Sequence, residues 1–226
     1  ILRDTNNTFL ILPQNTGYLN LNRSLVLPNT TGSTLGVMYK GADRFIHNYQ
    51  ASGTDGENVF IGINSGNFTM NGTSVDASQN TAVGNFSLNA LTTGSSNSAF
   101  GYSSLKSTTT GFNNSAFGFG SLQTNTTGSD NSAFGILALL VNTTGISNSS
   151  FGVSSLEANT TGNYNCAFGN STLSRNTTGG TNSGFGEQCL TMNITGSGNS
   201  AFGNGSLNSL TSGSFNTTIG YSSGSQ

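Results

Sequence analysis

The sequence predicts an all-β protein: a parallel β-solenoid of 17-residue coils, preceded by an N-terminal segment of β-strands. A unit with the consensus Asn-Ser/Thr-Ala-Phe-Gly-x-x-Ser-Leu-x-x-Asn-Thr-Thr-Gly-x-x repeats from Asn80 to the C-terminus, and such a fixed short period is typical of solenoids. Glycines at positions 5 and 15 mark corners that need a positive φ or no Cβ. No stretch has the apolar spacing of a helix, and helices avoid so much Gly, Thr and Asn.

The composition excludes several classes of function. Only 6% of the 226 residues are charged and the net charge is -2, whereas typical soluble domains have roughly 25% charged residues. Such a chain has no electrostatic footprint for nucleic acid or for an anionic membrane. No apolar run approaches the roughly 18 residues of a transmembrane helix. Because the apolar residues are periodic, we expect order rather than low-complexity disorder.

Residues 1–57 lack the repeat and are predicted to form a β-strand segment for assembly or capping. Prolines end two of its apolar runs, since proline cannot donate to a sheet. Residues 36–39 and 44–47 are two further candidate strands. The chain begins at Ile1 without a leader, which favours a trimmed, secreted product. The apolar residues of the early runs form a candidate assembly interface: Phe9, Leu10, Ile11, Leu12, Leu19, Leu21, Leu25, Val26 and Leu27.

Residues 58–226 are predicted to form the solenoid, with nine to ten coils. The first unit is five residues longer than the others, and a surface loop within residues 71–78 is the favoured place for the insertion. Charged residues of the strict array fall only at positions 6, 10, 11 and 17, which are therefore predicted to face solvent. Stacked Asn and Thr are expected to satisfy backbone groups at the corners.

The large apolar residues of each unit lie at positions 4 and 9 and are predicted to form the core. Each would contribute roughly 1.5–3 kcal/mol on full burial. The predicted core ladder consists of Phe100, Phe117, Phe134, Phe151, Phe168, Phe185, Phe202, Leu105, Leu122, Leu139, Leu156, Leu173, Leu190 and Leu207.

The sequence offers no constellation of catalytic or metal-binding residues. The one histidine, His47, lies near Asp43 and Arg44, but a triad needs a nucleophile and a zinc site needs three or four ligands. We therefore expect a structural or solvent-exposed histidine. The acidic residues are scattered, with no calcium loop and no phosphate-binding loop. A protein that is not an enzyme, with no cofactor and no metal, is the prediction.

Two kinds of covalent modification are left open by the sequence. Cys166 and Cys189 occupy positions 2 and 8 of adjacent units, where they either replace small residues or pair as a disulfide between coils. Glycosylation sequons recur at position 12, where the asparagines are either corner residues or carriers of glycans along one edge. These candidate glycosylation sites are Asn125, Asn142, Asn159, Asn176 and Asn193.

Two features point to assembly. Ile136, Leu137, Leu140 and Val141 occupy variable positions of one unit, where an exposed apolar patch would mark a lateral or inter-subunit interface. The last unit, from Asn216, shows no polar cap, although solenoids need one to protect their strand edges. This predicts a head-to-tail homopolymer, in which N-terminal strands of one subunit cover the open end of the next. The alternative is that the N-terminal segment caps its own solenoid in a monomer or trimer.

The repeated phrase Asn-Ser-Ala-Phe-Gly resembles the head repeats of trimeric autotransporter adhesins, and this resemblance implies left-handed parallel β-rolls in trimers. The segments 40–48 and 66–70, followed by Asn-Thr-Thr-Gly repeats, are similar to large secreted bacterial repeat proteins, some of them tail-fibre-like. That second resemblance covers residues 36–226. It implies an extracellular fibrous or adhesive protein and supplies no catalytic residues.

We therefore expect a non-enzymatic extracellular structural protein, the subunit of a head-to-tail surface filament or pilus-like fibre. Its main partner would be itself, by strand addition and end stacking, with glycans or a host surface as a further target. Neither nucleic-acid binding nor membrane insertion is expected. One alternative is a trimeric adhesin or tail-fibre shaft, and a second is an ice-binding solenoid. Ice binding needs Thr-x-Thr rows on a flat face, whereas the threonines here are adjacent and lie against a corner glycine.

Overall fold

A computed structural model describes residues 37–73 and 75–225 and confirms the all-β solenoid. Its strands form a single sheet in sequence order, and the described residues contain no helix. The strands are β1 (Met38–Lys40), β2 (Asp43–His47), β3 (Val59–Ile61), β4 (Thr81–Val83), β5 (Ser98–Phe100), β6 (Ser115–Phe117), β7 (Ser132–Phe134), β8 (Ser149–Phe151), β9 (Cys166–Phe168), β10 (Ser183–Phe185), β11 (Ser200–Phe202) and β12 (Thr217–Ile219).

The strands from β3 to β12 are parallel and keep one register, so that equivalent residues of successive units lie opposite each other. Phe100 faces Phe117, and Phe117 faces Phe134. The backbone repeats this step outside the strands as well, since Thr126 donates to the carbonyl of Thr143 (2.9 Å) and Thr143 donates to that of Thr160 (2.9 Å). The 17-residue period of the sequence is therefore one coil of the solenoid.

The extra residues of the first coil lie where the sequence predicts them. Asn71 donates to the carbonyl of Thr92, and Ala77 donates to the carbonyl of Thr93. Two residues that are six apart in the first coil thus contact consecutive residues of the second. The five inserted residues leave and rejoin the coil between Asn71 and Ala77, so the stack above them is undisturbed.

A hairpin from the same chain covers the first edge of the parallel stack. Strands β1 and β2 pair antiparallel, and β2 pairs antiparallel with β3 through Ile46 opposite Ile61 and His47 opposite Phe60. Within the described part of the chain, the β1–β2 hairpin therefore caps this end of the solenoid to which it belongs. The other predicted strands of the N-terminal segment, at residues 8–12, 18–21 and 25–27, lie outside the described part of the chain.

In most regular coils the interior holds one large apolar side chain, the leucine at position 9. The seven leucines predicted for the core are 0–4% exposed, as is the equivalent Leu88, which confirms this half of the core prediction. Alanines such as Ala99 and Ala116 occupy position 3, and small residues such as Ser121 occupy position 8, all at 0% exposure. The core is therefore a narrow column of leucine lined by small side chains.

The phenylalanines at position 4 are not in the core, and the prediction that placed them there is wrong. Successive side chains of a strand point to opposite faces, and in β5 to β10 the middle residue is buried while its two neighbours are only half-buried. Position 3 therefore points inward and position 4 outward. The misplaced residues are Phe100, Phe117, Phe134, Phe151, Phe168, Phe185 and Phe202, the last of them 40% exposed.

Two columns of asparagine satisfy the buried backbone groups. At position 1, Asn131 Nδ2 donates to Asn114 Oδ1 (3.1 Å) and to the Gly145 carbonyl (2.8 Å). Its own Oδ1 accepts from the backbone N–H (3.0 Å) and Nδ2 (3.1 Å) of Asn148. Because buried polar groups are costly when unpaired, each asparagine depends on the coil before it and the coil after it.

Candidate assembly surfaces

The predicted apolar patch exists on the surface of one coil. Ile136 is 50% exposed, and Leu137, Leu140 and Val141 are half-buried. A Cβ placed on Gly120 would lie 3.0 Å from Leu137 Cδ2 and 3.6 Å from Leu140 Cδ1. Leu137 and Leu140 therefore both pack over Gly120 of the preceding coil. They form an apolar surface with Ile136 at its edge.

The patch continues along the rod through position 6 of four successive coils. Tyr102, Phe119, Ile136 and Val153 are 43–52% exposed, and the rings of Tyr102 and Phe119 are stacked with centroids 5.4 Å apart. Phe86 extends the row by an edge contact to Tyr102 at 5.8 Å. An apolar strip of this kind on a soluble rod usually marks a contact surface. We call these residues, together with Leu137, Leu140 and Val141, the lateral patch.

The outward face of the sheet is a second candidate surface. It is formed by the phenylalanines that the sequence analysis predicts in the core. The phenylalanines at position 4 stack ring on ring from Phe100 to Phe202, with centroids 4.6–5.0 Å apart and ring planes within 7° of parallel. Position 2 lies on the same face and holds serine in most coils. The signal for this surface is the alternation of Ser, Ala and Phe along each strand.

The asparagines at position 12 are not glycosylation sites of the folded protein. All five are 0% exposed, and their amide nitrogens are used inside the coil. Asn159 Nδ2, for example, donates to Asn142 Oδ1 (2.8 Å) and to the Gly162 carbonyl (3.0 Å). A glycan on Asn125, Asn142, Asn159, Asn176 or Asn193 would have to occupy the interior, so these residues are corner residues.

The two cysteines do not form the disulfide that the sequence left open. Both thiols are free, because Cys166 lies at the outward position 2 while Cys189 points inward and is fully buried. The Cys189 thiol lies 3.2 Å from the Ala201 carbonyl and donates to it. Burial raises the pKa of Cys189 to about 11 and also raises that of Cys166, so neither thiol is activated as a nucleophile.

His47 is a structural residue of the cap. It is 3% exposed and packs against the rings of Phe60 and Phe68, each with its centroid 4.8 Å away. Nε2 lies 2.8 Å from the Ser65 carbonyl, and Nδ1 lies 3.3 Å from the amide of Tyr49. The neutral ring with the proton on Nε2 satisfies both contacts. Burial, assisted by the nearby charge of Arg44, lowers the pKa of His47 to about 4.

The depressed pKa of His47 predicts that the cap loosens in acid. Unfolded, this histidine takes up a proton as the pH falls below its ordinary pKa of 6.5, whereas in the folded cap it remains neutral down to about pH 4. Stability of the cap is therefore full above pH 6.5 and is lost as the pH falls towards 4.

Hydrogen exchange of the cap amides measures this effect. The N–H groups of Gly62 and Asn64 donate to the carbonyls of Phe45 and Arg44 across the β2 edge. Between pH 7 and pH 4.5 their protection factors are expected to fall by roughly 60-fold. In His47→Gln, which keeps a donor and an acceptor, the fall should be much smaller. An equal fall in the variant would show that His47 does not control the cap.

The predicted N-terminal interface lies outside the described residues, so head-to-tail joining stays a prediction. Its residues are Phe9, Leu10, Ile11, Leu12, Leu19, Leu21, Leu25, Val26 and Leu27. Within the described ranges, no three His, Cys, Asp or Glu side chains come together as metal ligands. The described residues also include no helix that is long and apolar enough to cross a membrane.

Comparison with protein-family models, with curated proteins and with solved structures gives no match to this chain.

Proposed function

We propose that the chain is a non-enzymatic structural protein of the cell exterior, a rigid rod that serves as the shaft of a self-assembling surface fibre. The observation that carries the proposal is the unbroken register from β3 to β12, in which the interior varies little and the outward positions vary most from coil to coil. A stack of this kind contributes length and stiffness, because each coil contacts only its neighbours.

Assembly of rods into a fibre is assigned to the lateral patch. In this patch, exposed aromatic and aliphatic residues from four successive coils adjoin. Placement outside the cell is supported by the low charge of the chain and by its resemblance to secreted repeat proteins. Adhesion to a surface is compatible with this role, and a trimeric shaft is the alternative that would use the same patch.

Ice binding is not favoured. The outward face of most strands carries serine and phenylalanine rather than two rows of threonine. Threonines at position 14, such as Thr127 and Thr144, are exposed in a single column, while the threonines of position 13 donate to the next coil, as Thr143 Oγ1 does to the Thr160 carbonyl (3.0 Å).

Electron microscopy of the purified chain tests the fibre proposal. Wild-type protein is expected to form elongated fibres or bundles as its concentration rises. The variant Leu137→Asp with Leu140→Asp should remain as single rods, because two carboxylates would have to be desolvated in the contact. Leu137 has φ +58°, a conformation that aspartate tolerates, so the coil itself should keep its fold.

The matched control is Ser171→Asp with Ser174→Asp, which changes positions 7 and 10 two coils further along. This control should assemble like the wild type. Single rods for the wild type at every concentration would overturn the proposal, and so would normal fibres from the leucine variant.

A further inference from the structure

The outward face of the sheet is a flat surface of two columns without charge. From β5 to β11, position 4 is always phenylalanine, and position 2 is always a small residue: Ser98, Ser115, Ser132, Ser149, Cys166, Ser183 and Ser200. The register between strands is unbroken. The face is therefore a ridge of aromatic rings beside a groove of small side chains, and both run parallel to the rod.

The stacking of the rings limits what the ridge can contact. With centroids 4.6–5.0 Å apart and nearly parallel planes, each inner ring hides both of its faces against its neighbours and exposes an edge. A sugar or a cation would need the face of a ring. A row of edges instead packs into a groove whose rungs have the same spacing. The spacing between coils of a second solenoid is the same as that of the first.

We infer that two copies of the chain pair through this face, with the phenylalanine ridge of each copy seated in the small-residue groove of the other. A two-fold axis parallel to the rods and between the two faces exchanges left and right but leaves height unchanged. It therefore sets each phenylalanine column against the partner's position-2 column. Each coil then lies level with the same coil of the partner, and the two rods point in the same direction.

The competing two-fold arrangement fits less well. An axis perpendicular to the rods and in the plane of the interface would set ridge on ridge and groove on groove, and the rods would run antiparallel. Phenylalanine edges would then meet edges of the same partial charge, and the serine columns would enclose a gap. The parallel pair has neither defect and forms a closed, isologous dimer.

The size of the face sets the expected strength of pairing. Seven rungs about 4.8 Å apart, each about 10 Å wide, give about 340 Å² on each copy. Standard interfaces bury about 800 Å² per partner, so pairing is expected at concentrations of tens of micromolar and above. Pairing does not require the lateral patch, and it would double the rod whether or not rods go on to form fibres.

Sedimentation tests the pairing directly. The wild type should reach a monomer–dimer equilibrium, whereas Ser115→Glu with Ser183→Glu should remain monomeric because each carboxylate would face the partner's aromatic column. Thr127→Glu with Thr195→Glu adds the same charge to the same two coils at the exposed position 14, and it should dimerise like the wild type. Pairing that survives the serine variant would overturn the assignment of the face.

Spin-label distances test the parallel arrangement. Single cysteines replace Thr110, Thr144 or Thr178, which occupy position 14 of alternate coils, in a Cys166→Ser background. Cys189 is buried and stays unlabelled. The parallel dimer predicts the same inter-copy distance from all three labels. In antiparallel rods with coils about 4.8 Å apart, the axial offset between the two labels would change by roughly 20 Å from one label to the next. Unequal distances from the three labels would therefore contradict the parallel dimer, as would a trimer by mass.

Failure of this test can be told from failure of the fibre proposal. If the serine variant loses the dimer but forms normal fibres, or if only the lateral-patch variant loses its fibres, the two surfaces act independently. If the wild type is monomeric at several hundred micromolar, well above the range expected from the area, the pairing is wrong while the lateral patch keeps its own test.

Discussion

Gly152→Ala is expected to destabilise the solenoid by more than about 4 kcal/mol, an exceptional loss for one methyl group. Gly152 has φ +140°, which alanine rarely adopts, and a Cβ there would lie 2.4 Å from the Gly169 carbonyl oxygen and 2.6 Å from its carbon. The coils cannot separate to make room, because Gly169 donates to the Phe151 carbonyl at 2.8 Å. Urea unfolding followed by circular dichroism measures the loss.

Gly220→Ala is the matched control for this prediction. Gly220 occupies the same position of the last described coil with φ +124°, but the nearest atom to its Cβ would be Ser223 Cβ at 3.9 Å. The backbone strain remains, at about 1–3 kcal/mol, and the contact between coils is absent. The difference between the two variants thus reports the close approach of successive coils. Equal losses would show that the coils are not packed as tightly as the structure has them.

The coil, its register and its insertion could be predicted from the sequence because each depends on the period alone. A fixed repeat places equivalent residues above one another, and a departure from the repeat locates a loop. The leucines at position 9 follow from the same reasoning, since they are the one large apolar residue flanked by small ones within the second half of the unit.

The outward placement of phenylalanine is predicted by the alternation of side chains along the strand, whereas residue size alone predicts that phenylalanine lies in the core. Positions 2 and 4 of a strand share a face, so Ala99 and Phe100 cannot both point inward. The first coil makes this visible: Phe60 stands at position 3, where other coils have a small residue, and it is 0% exposed. A large residue at position 3 is core, and one at position 4 is surface.

The positive-φ conformations that recur at equivalent residues of each coil could not be predicted. Leu139 and Leu156 have φ +51° and +50°, as do the equivalent leucines of the other coils, and residues as different as Tyr164 and Asp130 adopt φ near +60° at position 17. Such conformations disfavour non-glycine residues. They are imposed here by the stacked coils, so the sequence of a single unit carries no sign of them beyond an occasional glycine, as at Gly120 and Gly198.

The buried asparagines show a related limit. A sequon is a local pattern, but Asn142 and Asn159 are each held in the buried column by an amide that donates to them from the next coil. The column ends where position 12 becomes Leu210, and Asn193 Oδ1 is the buried side-chain oxygen or nitrogen that lacks a partner among the described residues. Whether such an asparagine is a modification site or part of a buried column depends on the direction of its side chain rather than on its identity.

Substitution by lysine at two positions of one coil tests most directly which side chains of the coil face inward. Leu156 is 0% exposed and Phe151 is half-buried on the outward face. Leu156→Lys would bury an unpaired ammonium group, so we expect a loss above about 5 kcal/mol and no folded array. Phe151→Lys leaves the charge in water and its stem over the neighbouring rings, and we expect a loss of about 1–2 kcal/mol from weaker ring stacking.

Circular dichroism and thermal melting of the two variants give the decisive comparison. The structure predicts that Phe151→Lys keeps the β-sheet spectrum with a modestly lower melting temperature, while Leu156→Lys loses the cooperative transition. Loss of the folded array in both variants would place the phenylalanines back in the core and would contradict the outward face through which two copies are proposed to pair.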